Sequence, residues 1–208
     1  MKRLVLLSAL AALTSACGLK RVPLDVLSKL PYEARIELLE AENDLALAVD
    51  RLDEARAEVV RTREQIRRGK DRYSAAKDEV SAASDATSKE VAELAVVEAD
   101  KRVEYLRARQ KLNVREEELA EQNFTCAEAR YEIARLTAAR KAKLEGSEEL
   151  DPAKFDEQLK KCEADYAELK EKAKETSAEA DTMRADWDQA RAALAKKTFD
   201  ARASPFVE

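Results

Sequence analysis

The sequence contains no histidine and only three glycines, and aromatic residues make up 5% of its 208 residues. Without histidine the chain has no ordinary catalytic triad, no histidine metal ligand and no side chain that exchanges protons near neutral pH. So few glycines leave no glycine-rich phosphate loop. These absences predict a protein that is not an enzyme and that uses no cofactor, metal ion or small-molecule substrate.

Charged residues are abundant, at 39% of the chain. A composition rich in alanine, glutamate, lysine, arginine and leucine is typical of long helices and coiled coils. Disorder is the alternative for so charged a sequence. The two alternatives differ in periodicity, because only a coiled coil repeats its apolar residues every seven positions.

The first 16 residues have the layout of an export signal. MKR forms a basic head, and LVLLSALAALTSA is an apolar stretch that ends in small residues. The stretch is too short to span a bilayer, because a membrane-spanning helix needs about 20 apolar residues. We therefore predict a signal peptide over residues 1–16 that is cleaved during export.

The end of this signal, LTSAC, resembles the lipobox of bacterial lipoproteins. Ser15 and Ala16 fit the lipobox, and Thr14 departs from it, because a leucine or similar residue usually stands there. The resemblance implies that Cys17 carries the lipid and becomes the first mature residue. It also implies a bacterial envelope protein anchored in the outer membrane and facing the periplasm, since Gly18 stands where an aspartate would imply different sorting in enteric bacteria. An ordinary secretory signal, with Cys17 as a plain thiol, is the alternative.

The two ends of the mature chain lack a heptad pattern. Residues 17–31 contain two prolines and are predicted to be a tether between the lipid and the folded part. Residues 200–208 are predicted to be a loose tail. Between these ends, residues 32–199 are predicted to be a coiled-coil rod.

Two series of residues recur every seven positions in the first predicted helix, 32–82. The large series is Leu38, Leu45, Leu52, Val59, Ile66, Tyr73 and Val80, and the small series, three places later, is Ala41, Ala48, Ala55, Thr62, Gly69, Ala76 and Ala83. Such a pair of series predicts a strict heptad seam. Because Gly69 belongs to the small series, we expect the helix to run through it, at a cost of about 1 kcal/mol relative to alanine.

The third predicted helix, 152–199, is as regular as the first. Its apolar residues alternate steps of four and three from Phe155 to Leu194. Asp151 followed by Pro152 predicts a helix start, with the aspartate as N-cap and the proline at the first helical position.

The middle predicted helix, 88–145, keeps a seven-residue step less cleanly, because Arg115 and Gln122 interrupt its second seam position. The breaks at 81–88 and 146–152 separate it from its neighbours. The predicted fold is therefore all-α, an elongated antiparallel three-helix coiled coil with helices at 32–82, 88–145 and 152–199.

Cys126 and Cys162 both occupy seam positions of this coiled coil. In an oxidising compartment such a pair commonly forms a disulfide. The bond requires the second helix to end early, near residues 137 to 141, because the predicted loop otherwise separates the thiols by about 13 Å along the helix axis. The alternative is a pair of small core residues. Two cysteines 36 residues apart do not resemble a zinc site.

Basic residues concentrate in the middle of the first two helices, and two interpretations are open. The cluster is either a site for an anionic partner or one half of internal pairing with acidic residues of the third helix, as is usual at flanking positions of coiled coils. Its residues are Arg61, Arg63, Arg67, Arg68, Lys70, Arg72, Lys101, Arg102, Arg107 and Arg109, with Lys111 beside them.

The predicted function is that of a lipid-anchored structural spacer or protein-interaction partner of the cell envelope. Its predicted partners are the membrane, through the anchor, and a protein or a second copy of the chain. Nucleic acid is not expected, because removal of Lys2 and Arg3 with the signal would lower the net charge from −5 to −7. An adaptor subunit of an export, efflux or motility complex and a periplasmic chaperone with helical prongs are the alternatives.

Overall fold

The computed structural model describes residues 19–198, so the predicted signal, Cys17 and the tail 200–208 lie outside the described residues. Within this range every regular element is a helix, and the three long helices pack antiparallel, which confirms the predicted fold class. The helices are α1 (Leu24–Leu27), α2 (Tyr32–Ile36), α3 (Leu39–Ala82), α4 (Ala86–Lys141) and α5 (Pro152–Thr198).

The described residues divide into two compact units. Unit 1 contains residues 19–47 and 125–164, and unit 2 contains residues 48–124 and 165–198. Each unit has its own apolar clusters. In unit 1 these gather around Leu136 and Leu30, and in unit 2 around Ile66 and Trp187.

The predicted seam of the first helix is confirmed. All fourteen members of its large and small series are buried or half-buried. Gly69 lies inside a continuous α3, where an added Cβ would stand 3.2 Å from Val103 Cγ2 and 3.4 Å from Leu106 Cδ1. A small residue is therefore needed here for α4 to lie this close.

The start and seam of α5 also follow the prediction. Pro152 is its first residue, and Asp151 Oδ1 accepts a hydrogen bond from the Ala153 N–H at 3.1 Å. No seam residue between Phe155 and Leu194 is exposed. The aspartate thus satisfies one of the backbone donors that a helix start leaves free.

The second helix begins two residues earlier than predicted, at Ala86. Asp85 caps it, because its carboxylate accepts hydrogen bonds from the Ser88 N–H at 2.9 Å and from the Ser88 hydroxyl at 2.6 Å. These bonds stabilise the charged form and lower the pKa of Asp85. The connection between α3 and α4 is consequently only residues 83–85.

The second helix ends at Lys141, so the predicted end at residue 145 was wrong. Lys143 adopts a left-handed conformation, with φ of 53°. The Leu144 N–H then reaches the Ala139 carbonyl at 3.0 Å, and the Lys143 N–H reaches the Arg140 carbonyl at 2.9 Å. This is the hydrogen-bond pattern of a Schellman motif, in which glycine is the usual left-handed residue. Because a lysine occupies the left-handed position, the sequence does not indicate a helix end there. The nearby Gly146 suggested that the helix ends later.

The segment before α2 is packed within unit 1, which differs from the tether predicted over residues 17–31. Val22, Val26 and Leu30 are buried, and the Val22 N–H donates to the buried Glu132 carboxylate at 2.8 Å. The buried residues recur every fourth position rather than in heptads. Prolines precede the one-turn helices α1 and α2 and so interrupt the pattern only locally.

Candidate functional site

A disulfide joins Cys126 on α4 to Cys162 on α5 within unit 1, with Cα atoms 5.6 Å apart. The end of α4 at Lys141 falls inside the range that this bond requires. The Arg130–Glu163 ion pair, at 2.9 Å, connects the same two helices close to the disulfide. Unit 1 is therefore crosslinked covalently between its two longest helical segments.

A buried polar and aromatic cluster lies in unit 2 around the single tryptophan, Trp187. Its indole stacks on Tyr105 with ring centroids 5.5 Å apart, and its Nε1–H donates to Glu98 Oε1 at 2.8 Å. Glu98 is fully buried, and Arg72 Nη2 lies 3.3 Å from its other carboxylate oxygen. The Arg102 guanidinium lies 5.5 Å from the indole centroid. We call these five residues the Trp187 cluster.

The Trp187 cluster brings an acid and two arginines into an apolar core, where charge is costly unless it is paired and hydrogen-bonded. A buried pair of this kind adds little net stability, but it penalises any helix alignment that would separate its members. The cluster therefore fixes the alignment of α3, α4 and α5 in unit 2. Its Glu98 and Arg102 side chains are buried, and the Arg72 side chain is 14% exposed.

A second buried polar contact joins α3 and α4 in unit 2. The Asn113 amide donates to Thr62 Oγ1 at 2.6 Å, and the Thr62 hydroxyl donates to the Glu58 carbonyl at 2.9 Å. Asn113 is almost completely buried. A polar residue at one seam position fixes the register of a coiled coil at some cost in stability.

Sequence reasoning missed both polar contacts, although the signal was present. Glu98 lies seven residues before Tyr105 and extends the seam of α4 by one step. Asn113 lies seven residues after the buried Leu106. A charged or amide side chain on a seam position is the pattern that could have revealed them.

The structure places most of the predicted basic cluster in contacts within unit 2. Five of its ten residues contact carboxylates and two contact aromatic side chains. The carboxylate pairs are Arg61–Glu58, Arg67–Glu64, Arg68–Glu64, Arg72–Glu98 and Lys101–Glu104. Arg102 lies near Trp187, and Arg109 donates to the Tyr105 hydroxyl at 3.1 Å.

Pairing within a helix dominates this cluster, whereas pairing with the third helix was one of the two interpretations that the sequence left open. Hydrogen bonds from Arg67 and Arg68 lower the pKa of Glu64 to about 2. Lys111, beside the predicted cluster, does reach Glu179 of α5 at 2.8 Å. Within the described part of the chain, Arg63, Lys70 and Arg107 are exposed and form no ion pair.

One surface groove lies between two of the long helices. A groove of about 440 Å³ lies between α4 and α5 in unit 2, and its charged residues include the ion pairs Lys111–Glu179 and Arg115–Glu118. Across the described residues, no three histidine, cysteine, aspartate or glutamate side chains are arranged to hold a metal ion. The groove is therefore a solvated surface between helices.

Comparison of the chain with protein-family models, with curated proteins and with solved structures finds no match. Among the helices of residues 19–198, none has the length and apolar character required to cross a bilayer.

Proposed function

We propose that the chain is a non-enzymatic, lipid-anchored protein of the bacterial cell envelope, and that its antiparallel helices serve as a structural spacer and bind another envelope protein. The observation that carries this proposal is Cys17, which directly follows the small residues Ser15 and Ala16 at the end of an export signal. Several acyl chains on this residue give firm anchoring, because each buried CH₂ contributes about 0.8 kcal/mol.

The Cys126–Cys162 bond supports export. Structural disulfides persist in oxidising compartments such as the periplasm and are rare in the cytosol. The bond links two helices of unit 1 directly, which suits a part whose role is mechanical.

The use of the charged side chains supports a structural role. Glu98 and Arg102 are buried in unit 2, and Arg72 lies against the Glu98 carboxylate. A catalytic acid or base would instead face a substrate in a cleft. The described helices can therefore contact other molecules through their exposed outer surfaces.

The intact mass of the protein extracted from membranes tests this proposal. We expect a chain that starts at Cys17, carries acyl chains and gains two hydrogens on reduction. A matched Cys17→Ser variant should lose both the lipid mass and the membrane association. A lipid-free mass with cleavage elsewhere would refute the anchor and, with it, the spacer function.

Crosslinking in cells separates the spacer from the adaptor alternative. A photoreactive residue at exposed positions of unit 1 should yield one defined protein if the chain is an adaptor. Cell-wall material as the only product would favour a pure spacer. Many unfolded proteins as products would support the chaperone alternative.

A further inference from the structure

The segment from α2 into the start of α3 is apolar on two opposite faces. The inner face, which includes Ala34, Leu38 and Leu45, is buried or half-buried in unit 1. The outer face has four large apolar side chains in solvent. They are Tyr32 (73% exposed), Ile36 (48%), Leu39 (53%) and Leu47 (52%), and we call them the outer stripe.

The outer stripe has two parts, because residues 37 and 38 separate α2 from α3. Tyr32 and Ile36 lie one turn apart on α2. Leu39 and Leu47 lie about two turns apart on one side of α3, with the exposed Asn43 midway between them. One turn after Leu47 the same side is occupied by Asp50 and then by Glu54, both exposed. The stripe is therefore confined to unit 1 and has a defined end.

A helix that is apolar on both faces normally has partners on both faces. A cluster of large apolar side chains in solvent marks an interaction site more often than an isolated exposed residue does. Within the described residues, only the inner face of this segment is covered. The outer stripe is thus a surface of unit 1 that a partner would bury.

The charges beside the stripe indicate the chemistry of that partner. Glu33, Glu40 and Asp44 lie along one side of it, and they are exposed, with carboxylates that form no ion pair or hydrogen bond within residues 19–198. Arg35, two residues after Glu33, donates to the Leu30 carbonyl at 3.1 Å. The stripe is therefore apolar with an anionic border.

We propose that the outer stripe binds an amphipathic helix of another protein, one with an apolar seam bordered by lysine or arginine. Opposite charges beside an apolar seam are the usual determinant of partner choice between helices. A second copy of the chain would bring a matching anionic border, which repels. Anionic lipid headgroups are disfavoured for the same reason. The inference rests on the proposed function, because it names the partner class of the interaction protein.

Binding of a designed peptide tests the inference with the full chain. The probe is a fluorescent four-heptad helical peptide with a leucine and isoleucine seam and lysines beside it, and its twin has glutamates in place of the lysines. By fluorescence anisotropy, we expect the lysine peptide to bind at least tenfold more tightly than the glutamate peptide. Binding of the lysine peptide should weaken as salt increases.

Two variants remove the stripe and one serves as a matched control. Leu39→Arg and Tyr32→Lys should each weaken binding of the lysine peptide at least fivefold. Val60→Arg changes an equally exposed valine of unit 2 and should leave binding unchanged. Because all three side chains are exposed, the helical content measured by circular dichroism should be the same in the three variants.

A charge reversal separates docking from unspecific attraction of cations. In the triple variant Glu33→Lys, Glu40→Lys and Asp44→Lys, the preference should invert, and the glutamate peptide should bind at least tenfold more tightly. An unchanged preference would overturn the inference, as would equal binding of both peptides to the natural chain or equal loss in Val60→Arg.

Two further outcomes assign the stripe to another occupant and would also overturn the inference. One is a dimer in sedimentation that Leu39→Arg dissociates. The other is binding to vesicles of anionic phospholipid that Leu39→Arg abolishes. None of these measurements depends on lipid at Cys17, so failure of the inference and failure of the anchor are distinguishable.

Discussion

Individual residues determine how closely the helices of unit 2 approach each other. At Gly69 the side chains of Val103 and Leu106 occupy the space that a Cβ would need. At Trp187 a large ring fills the core, and its Nε1–H donates a hydrogen bond to the Glu98 carboxylate. Position 69 therefore requires a small residue, and position 187 requires a large ring that also donates a hydrogen bond.

Replacing Gly69 by a large residue should separate α3 from α4 locally. We expect Gly69→Leu to lower the free energy of unfolding by about 2–3 kcal/mol, because overpacking a tight contact forces side chains or backbone to shift. The neighbouring exposed substitution, Lys70→Leu, should change it by less than about 0.5 kcal/mol. Urea denaturation followed by circular dichroism measures both, and equal effects would contradict the close contact.

Trp187→Phe should destabilise unit 2 by more than the loss of apolar volume. A hydrogen bond to a charged group contributes about 1.5–3 kcal/mol, and its loss leaves the Glu98 carboxylate without the indole donor. Because this loss of stability comes from the Trp187–Glu98 hydrogen bond, Trp187→Phe should destabilise the Glu98→Gln variant less than it destabilises the natural chain. A double-mutant cycle with Trp187→Phe and Glu98→Gln should show coupling of at least about 1 kcal/mol. Strict additivity would contradict the hydrogen bond.

Whole helices differ in how fully the sequence predicts them. For α3 and α5 the predicted seam residues are all buried or half-buried, because each helix has one apolar stripe. In α4 buried residues occupy adjacent faces, since Tyr105 lies in the cluster with Trp187 while Val103 and Leu106 approach Gly69. A helix with two packing faces does not show a single clean heptad, and the middle helix was accordingly the least regular.

Helix ends and functional surfaces were harder to predict than seams. The end of α4 depends on one backbone conformation at Lys143, which a lysine side chain does not signal. In the basic cluster, spacing predicts which cations lie near each other, but not which glutamate each one contacts. Glu98 was missed because a glutamate in a highly charged helix resembles a solvated one.

Glycine at position 143 should strengthen the end of α4. The left-handed conformation costs a non-glycine residue about 1 kcal/mol. We therefore expect Lys143→Gly to raise the free energy of unfolding by about 0.5–1 kcal/mol. Ala142→Gly, one residue earlier, should not raise it. If both substitutions destabilise equally in thermal unfolding, the Schellman motif does not form.

The start of α4 should lose stability in acid through Asp85. Its pKa is lowered in the folded chain by the hydrogen bonds from Ser88, so its contribution is fully present above the unfolded value of about 3.9. That contribution disappears as the pH falls through the lower folded value. Asp85→Asn retains an acceptor but cannot titrate. The stability difference between the natural chain and this variant should therefore shrink below about pH 4, and a constant difference would contradict the cap.

For the whole molecule, the cysteine content connects the stability of the fold to the compartment in which the chain is made. The chain lacks histidine, and it places two cysteines where they meet in the core of unit 1. A protein kept in the cytosol would hold these thiols reduced. The stability of the protein should therefore depend on whether the chain is exported or stays in the cytosol.

Exported protein should be more stable than the same chain made in the cytosol. For a sequence separation of 36 residues, loop-closure entropy gives the disulfide about 3–4 kcal/mol. We expect reductant to lower the unfolding midpoint of exported protein and to leave a Cys126→Ala, Cys162→Ala double variant unchanged. Free thiols in the exported protein would contradict the bond.

The packing of Val22 limits how far unit 1 can lie from an anchor at Cys17. Five residues span at most about 17 Å when fully extended, whereas a flexible segment up to residue 31 would allow about three times that distance. A lipid at Cys17 would therefore hold the Val22 end of unit 1 within about 17 Å of the anchor, so that unit 1 stays close to the membrane. Encounters with a partner anchored in the same membrane would become a search in two dimensions, in which a weak helix–helix contact is sufficient because the local concentration is high.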